Sequence, residues 1–354
     1  MKQQNEPRHI DLHLPTGWAR CSTDELEHIA AAILMEQQRQ DRFHPFSWDA
    51  VRLMAVLAIN GIEIVSTPDA TALGDSVAEY TVRRADEQPW PITTDQLLSL
   101  CERLAWIEHP DSGQPITQFP YPTLMYDTAR RRWLTADEQA KAEAKTAKAA
   151  ATVPAGSPAG MLVYHGAPPM MDGYTWTEYR HLQDWMTLYM RLQNAARDAS
   201  DAQAQFLAVL FQPAVAPASA TVPDGSPSGN STPAPSPSIP QPFSAVLTAD
   251  PAAPFRSFDP IRWQVILFWW SGLMRQLQQE YPKVFKPQPV GRGKKDRGPW
   301  SFYNRVTATI QKYIGLNEQE VNQGTYSVIL QHMENMAEEA DEMKKLNQKY
   351  KGKK

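Results

Sequence analysis

The chain has 354 residues, a formal net charge of -4 and 42% hydrophobic residues, enough apolar material for a real core in more than one module. Its acidic balance argues against general electrostatic capture of nucleic acid, which calls for a basic excess. The 30 prolines gather in a few segments, so the folded part is smaller than the length implies.

The polar opening MKQQNEPRHIDLHLP has no apolar core of a signal peptide and reads as a short arm. Ser22 and Glu25 have capping-box spacing, and Leu26, Ile29, Ala30, Ile33 and Leu34 recur on one face, which predicts a helix over 22–40. Ser47 caps a second helix with Val51, Met54, Leu57 and Ala58 inward and Gly61 at its end. Ile62–Val65 and the alternating Ala78–Val82 predict a hairpin. Thr93 and Gln96 open a third helix that runs to about Ile107 and closes an N-terminal helical module, 1–110.

Residues 111–160 form a second segment: a proline-containing loop to Tyr126, then an Ala/Lys/Glu-rich helical spacer capped at Thr135 and Glu138, then the linker VPAGSPAG. A central helical segment, 161–211, starts at the capping box Thr175/Glu178. As one straight helix to Leu210 it would measure roughly 50 Å at 1.5 Å per residue, but the polar middle NAARDASDAQ fits two helices equally well. The Pro/Ser/Ala-rich tract 212–254 reads as a disordered linker. Last comes a C-terminal helical module, 255–354, with a basic loop, a helix at about 300–314 and a terminal helix over about 318–349.

Within that module lies the most apolar run of the chain, IRWQVILFWWSGLM. A membrane span needs ~20 apolar residues, and Asp259-Pro260 and Arg275–Glu280 bound this run too tightly for that. Its apolar residues fall in two patches, one with Trp263, Ile266, Leu267, Trp270 and Leu273, the other with Val265, Phe268, Trp269 and Gly272. Two patches mean burial between neighbours or a partner on the second side, with burial the stronger expectation.

Chemistry-bearing motifs are few. There is no HExxH, no paired CxxC and no dinucleotide-binding glycine fingerprint. GRGKK has Gln288 and Lys295 where a phosphate loop needs Gly and Ser/Thr. Cys21 and Cys101 sit in apolar helical patterns, as buried reduced thiols do. His9 and His13 lie in the N-terminal arm and His28, His181 and His332 each stand singly on a helix, whereas a metal site wants two or more at helical or hairpin spacing, and Glu108-His109 reads as a helix end. Arg292, Lys294, Lys295 and Arg297, followed by Trp300, Phe302 and Tyr303, are nucleic-acid candidates by the logic of phosphate contact plus stacking, though a solvated loop explains them better. The terminal helix carries Tyr326, Ile329, Met333, Met336 and Met343 as a stripe suited to packing or to an adaptable partner surface.

Several phrases occur together and in order: LPTGWARCSTDELEHIAAAIL, GAPPMMDGYTWTEYRHLQDW, FLAVLFQP, WSFYNRV and YSVILQHMENMAEEAD. This set resembles a group of proteins in the tail gene modules of phages and prophages of Bacteroides-type bacteria. The chain departs from that group's pattern at Phe211 and Gln212, where Tyr and Arg are usual. The resemblance implies a tail-assembly protein, chaperone-like, whose partners are tail proteins of the same phage or prophage and whose place is the bacterial host cytoplasm or the virion.

The resulting expectation is a mainly α, multi-module helical protein with minor β-hairpin content and Pro/Ser-rich disordered linkers, without catalytic, cofactor or metal sites. It is expected to bind partners through Trp263, Trp269, Trp270, Met333 and Met336, without a membrane span, and with self-association left open. A structural connector retained in the particle and a nucleic-acid-binding accessory factor are the rival readings.

Overall fold

The computed structural model describes residues 12–41, 43–67, 79–85, 87–109, 115–150, 161–213, 250–285 and 299–351. Among them are ten α-helices: α1 (Thr23–Arg39), α2 (Trp48–Ile59), α3 (Thr94–Arg103), α4 (Ala136–Ala150), α5 (Trp176–Asn194), α6 (Ser200–Leu210), α7 (Pro260–Glu280), α8 (Pro299–Ile314), α9 (Glu318–Gln323) and α10 (Tyr326–Lys351). Seven short strands, β1 (Ile62–Ser66), β2 (Glu79–Arg84), β3 (Trp90–Thr93), β4 (Thr123–Asp127), β5 (Arg132–Trp133), β6 (Met161–His165) and β7 (Gln212–Pro213), make two small sheets. The protein is mainly α. The linkers VPAGSPAG and most of 212–254 lie outside the described residues, as does the basic loop.

The chain divides into two compact units, Met1–Pro120 with Asp259–Gln276, and Tyr121–Phe258 with Leu277–Lys354. Most of the apolar run in α7 therefore belongs with the N-terminal helices, whereas the sequence pattern grouped it with 255–354. The reason is packing. Gly272 presses its backbone on the segment before Pro120, where an added Cβ would stand 2.8 Å from the Ile116 carbonyl oxygen. Phe119 meets the Trp269 ring edge-on at 4.7 Å, and Thr23 Oγ1 at the start of α1 donates to the Pro120 carbonyl at 3.1 Å.

In the first unit, the capping boxes at Ser22/Glu25 and Thr93/Gln96 both form in full, and Ser47 Oγ accepts from Ala50 N–H. These caps satisfy backbone donors that the first helical turn leaves open. β1 pairs antiparallel with β2 as expected, with Ile64 opposite Val82, and β3 adds a third strand, Trp90 facing Val82. Ile62, Val82, Trp90, Ile92 and Leu97 form its core.

In the second unit β4 is central, antiparallel to β5 and β6, and β6 pairs with β7. The 111–126 stretch, read from its prolines as loop, thus ends in a strand. Trp133, Tyr164 and Phe255 cluster with ring centroids 4.9–5.4 Å apart, and Trp133 Nε1 donates to Pro254 O at 3.0 Å. Residues 175–210 are two helices, α5 and α6, separated by a turn in which Ala196 takes φ 49°.

The terminal helix is also split. Asn317 and Glu320 form a capping box for the short α9, and the chain breaks at Gly324-Thr325 before α10. The break is used: Gly324 O accepts from Trp176 N–H at 2.8 Å, and Tyr326 N–H donates to Tyr174 O at 3.0 Å. Those bonds tie the starts of α5 and α10 together, a requirement that an uninterrupted helix would not meet.

Candidate interaction surfaces

The first unit contains a cleft of about 460 Å³, within the size range of small-molecule and side-chain pockets. The 3-10 turn Trp18–Arg20 supplies Trp18, buried, and α7 supplies Gln264 and Phe268, four residues apart on one helix face. Trp18 packs on Phe268 at 4.9 Å and edge-on to Trp106 at 4.9 Å. Opposite elements bring Ile33 and Gln37 from α1 and Gln40 from its C-cap, and Phe46 and Trp48 from the loop and first turn of α2. Phe46 and Trp48 meet at right angles, 5.0 Å apart, and both are half-buried.

The loop that presents them is pinned at both ends. Asp41 accepts from the backbone N–H groups of Phe43 at 2.7 Å and His44 at 2.9 Å, and these bonds hold its carboxyl below the usual carboxylate range. Glu36 Oε1 accepts from Ser47 N–H at 3.1 Å. The lining is apolar and aromatic with three glutamine amides and no charged side chain. Such a surface is complementary in chemistry to apolar side chains at the rings and to amide groups at the glutamines.

The tryptophans expected to meet a partner are placed otherwise. Trp263 and Trp270 are 5% exposed and Trp269 is fully buried, because both apolar patches of α7 are largely covered, Ile266 and Leu273 of the first and Val265 of the second being fully buried as well. Phe268, on that same patch, is the α7 aromatic that reaches a cleft. Met333 and Met336 are half-buried. The α10 stripe is covered at its start, where Tyr326, Ile329 and Leu330 are buried, and open at its end, where Met343, Leu346 and Tyr350 are 59%, 48% and 72% exposed.

Arg292, Lys294, Lys295 and Arg297 lie outside the described residues, so the nucleic-acid reading of the basic loop gains no geometry. Among the described residues no group of three His, Cys, Asp or Glu side chains is placed to hold a metal, and no helix is long and apolar enough to cross a membrane. His13 pairs with Glu25 at 2.9 Å and Glu108 pairs with Arg52. Burial raises the Cys21 thiol to about 12 and Cys101 above its ordinary value, which keeps both protonated and unreactive at neutral pH. On α5, burial lowers His181 and raises Asp184, so both drift toward their neutral forms.

Gln212, the position where the resembled phrase carries Arg, donates its side-chain amide to Glu178 Oε1 at 3.0 Å. Glu178 is the buried capping-box carboxylate of α5. Two phrases far apart in sequence thus meet in one contact. No protein-family model, curated protein or solved structure matches the chain.

Proposed function

We propose that this chain is a non-enzymatic interaction factor of a phage or prophage tail-assembly module, holding tail proteins transiently, as a chaperone does, in the host cytoplasm before the particle is complete. The observation that carries the reading is the neutral aromatic cleft walled by Trp18, Phe46, Trp48 and Phe268. It suits a short uncharged segment of a client chain, and its half-buried rings on a pinned loop bind without a large ordering cost. The ordered set of phrases from LPTGWAR to YSVILQHMENMAEEAD supplies the tail context.

The test is mass spectrometry on the tagged full chain purified from a producing lysate, beside purified particles, repeated with Trp48→Ser after its melting profile is matched to the parent. Tail components accompany the parent chain, fall on the order of fivefold or more with the variant as expected for an aromatic anchor, and the chain is missing from particles. Fixed stoichiometry in particles would make it a structural connector instead. Equal recovery with Trp48→Ser would remove the cleft from the mechanism.

A further inference from the structure

Along α10 the apolar positions Ile329, Met333, Met336, Ala340, Met343 and Tyr350, with the polar Asn347 between the last two, follow a strict alternation of four and three residues. That spacing is the a/d seam of a coiled coil, with Met333, Ala340 and Asn347 at a and Ile329, Met336, Met343 and Tyr350 at d. The fold uses only the first half. Ile329 is buried and Met333 and Met336 are half-buried, whereas Ala340, Met343, Asn347 and Tyr350 are exposed. Nothing in heptad spacing requires the seam to continue for two more turns past the point where the unit stops covering it.

The geometry points to a second copy of this chain as the occupant, paired parallel and in register through residues 340–350. Two features beyond the apolar seam choose that partner. Glu339 stands at g and Lys344 at e, five residues on, the spacing at which g of one strand faces e of the other in a parallel pair, with opposite charge. Asn347 stands at a, where an asparagine meets its own copy across the axis and favours two strands in register. Within one chain, the Tyr313 hydroxyl donates to Glu339 Oε1 at 2.7 Å and Lys344 reaches Asp341 at 3.2 Å, exposed bonds that the pairing between copies would exchange. Leu346 at g widens the apolar strip.

The covered half of α10 anchors the helix, so the exposed half does not have to nucleate on its own. The contact is short, and the dimer is correspondingly weak. This inference stands apart from the proposed client cleft, which lies in the other unit.

Sedimentation velocity of the full chain across roughly 1–300 µM reads the equilibrium directly. A reversible monomer–dimer shift is expected, with at least a tenfold weakening in Met343→Glu, a solvent-exposed change that leaves the fold intact. Glu339→Lys should weaken pairing and Glu339→Lys combined with Lys344→Glu should restore it. Met343→Cys should cross-link to its own copy on mild oxidation, since Cys101 is buried and the half-buried Cys21 thiol stays protonated. A chain monomeric at the highest concentration, a dimer indifferent to Met343→Glu, or a dimer whose Met343→Cys form does not cross-link would each overturn the parallel seam.

Discussion

The carboxylate of Glu334, buried on α10, accepts the backbone N–H of Lys283 with both oxygens, at 3.1 and 3.0 Å. It also accepts Val284 N–H at 3.0 Å. One side chain thus closes the turn that follows α7, and Lys283 Nζ returns to Glu338 at 2.8 Å.

Glu334→Ala strands those donors in a site only 6% exposed. The expected loss is about 2–3 kcal/mol, the cost of unsatisfied buried groups that were bonded to a charge. Glu334→Gln keeps one acceptor oxygen and should lose about half as much. Urea denaturation of the two variants measures the difference, and equal losses would mean that the charge rather than the acceptor geometry matters.

Gln212→Arg is expected to stabilise. A guanidinium in place of the amide converts the bond to buried Glu178 into a charge-assisted one, a gain of about 1 kcal/mol. The gain should vanish in Glu178→Gln, which removes the carboxylate. A double-mutant cycle by thermal melting reads this coupling.

Arg132 grips Glu138 with two parallel hydrogen bonds of 2.7 and 2.6 Å, which with the Thr135 N–H hold the Glu138 carboxyl down at about 2. A depressed carboxylate adds stability that is complete above its ordinary pKa and is lost as pH falls toward 2. The pair is exposed, so that contribution is small. The sharper expectation is spectroscopic: in Arg132→Ala the Glu138 side chain should titrate higher than in the parent but still below its ordinary value, because the Thr135 bonds remain, followed by NMR from pH 2 to 7.

Gly272→Ala sets two effects against each other. Alanine improves helix propensity by about 1 kcal/mol, but its Cβ would meet the Ile116 carbonyl oxygen at 2.8 Å and the Ile116 nitrogen at 3.0 Å, both backbone atoms with little room to yield. Overpacking of about 1–3 kcal/mol wins, and the variant should melt lower. Trp269→Asp, which puts a carboxylate in a fully buried site, should abolish folding of the first unit, seen as lost dispersion of its amide resonances.

What was legible in advance was local chemistry. The boxes at Ser22/Glu25, Thr93/Gln96 and Thr175/Glu178 each place a short polar side chain three residues before an acceptor, and each forms. The Ile62 and Val82 strands likewise follow from alternation. β4 and β6 did not, because TLMYD and MLVYH are short apolar runs without alternation, and what makes them strands is their pairing with each other, Leu124 opposite Tyr164. The break at Gly324 was hidden for the same reason, since its carbonyl is wanted by Trp176, far away in sequence. In the cleft, Phe268 sat within a pattern already noted, but Phe46 and Trp48 carry no periodic signal and meet it only through the Asp41 turn. The tryptophans of α7 fit either core or contact by pattern alone, and burial follows from which faces the neighbouring elements cover, a property of the whole unit.

Because α7 completes a unit begun by the first 120 residues, synthesis order matters. Roughly 140 residues separate Pro120 from Asp259, and at about 5–20 residues per second the ribosome needs roughly 7–30 s to cross them. For that interval the nascent N-terminal helices lack the side chains of Trp269 and Val265 that finish their interior. A protein that leaves its own first domain open during translation closes it only once α7 has been made, and a stalled ribosome would leave that interior exposed to aggregation.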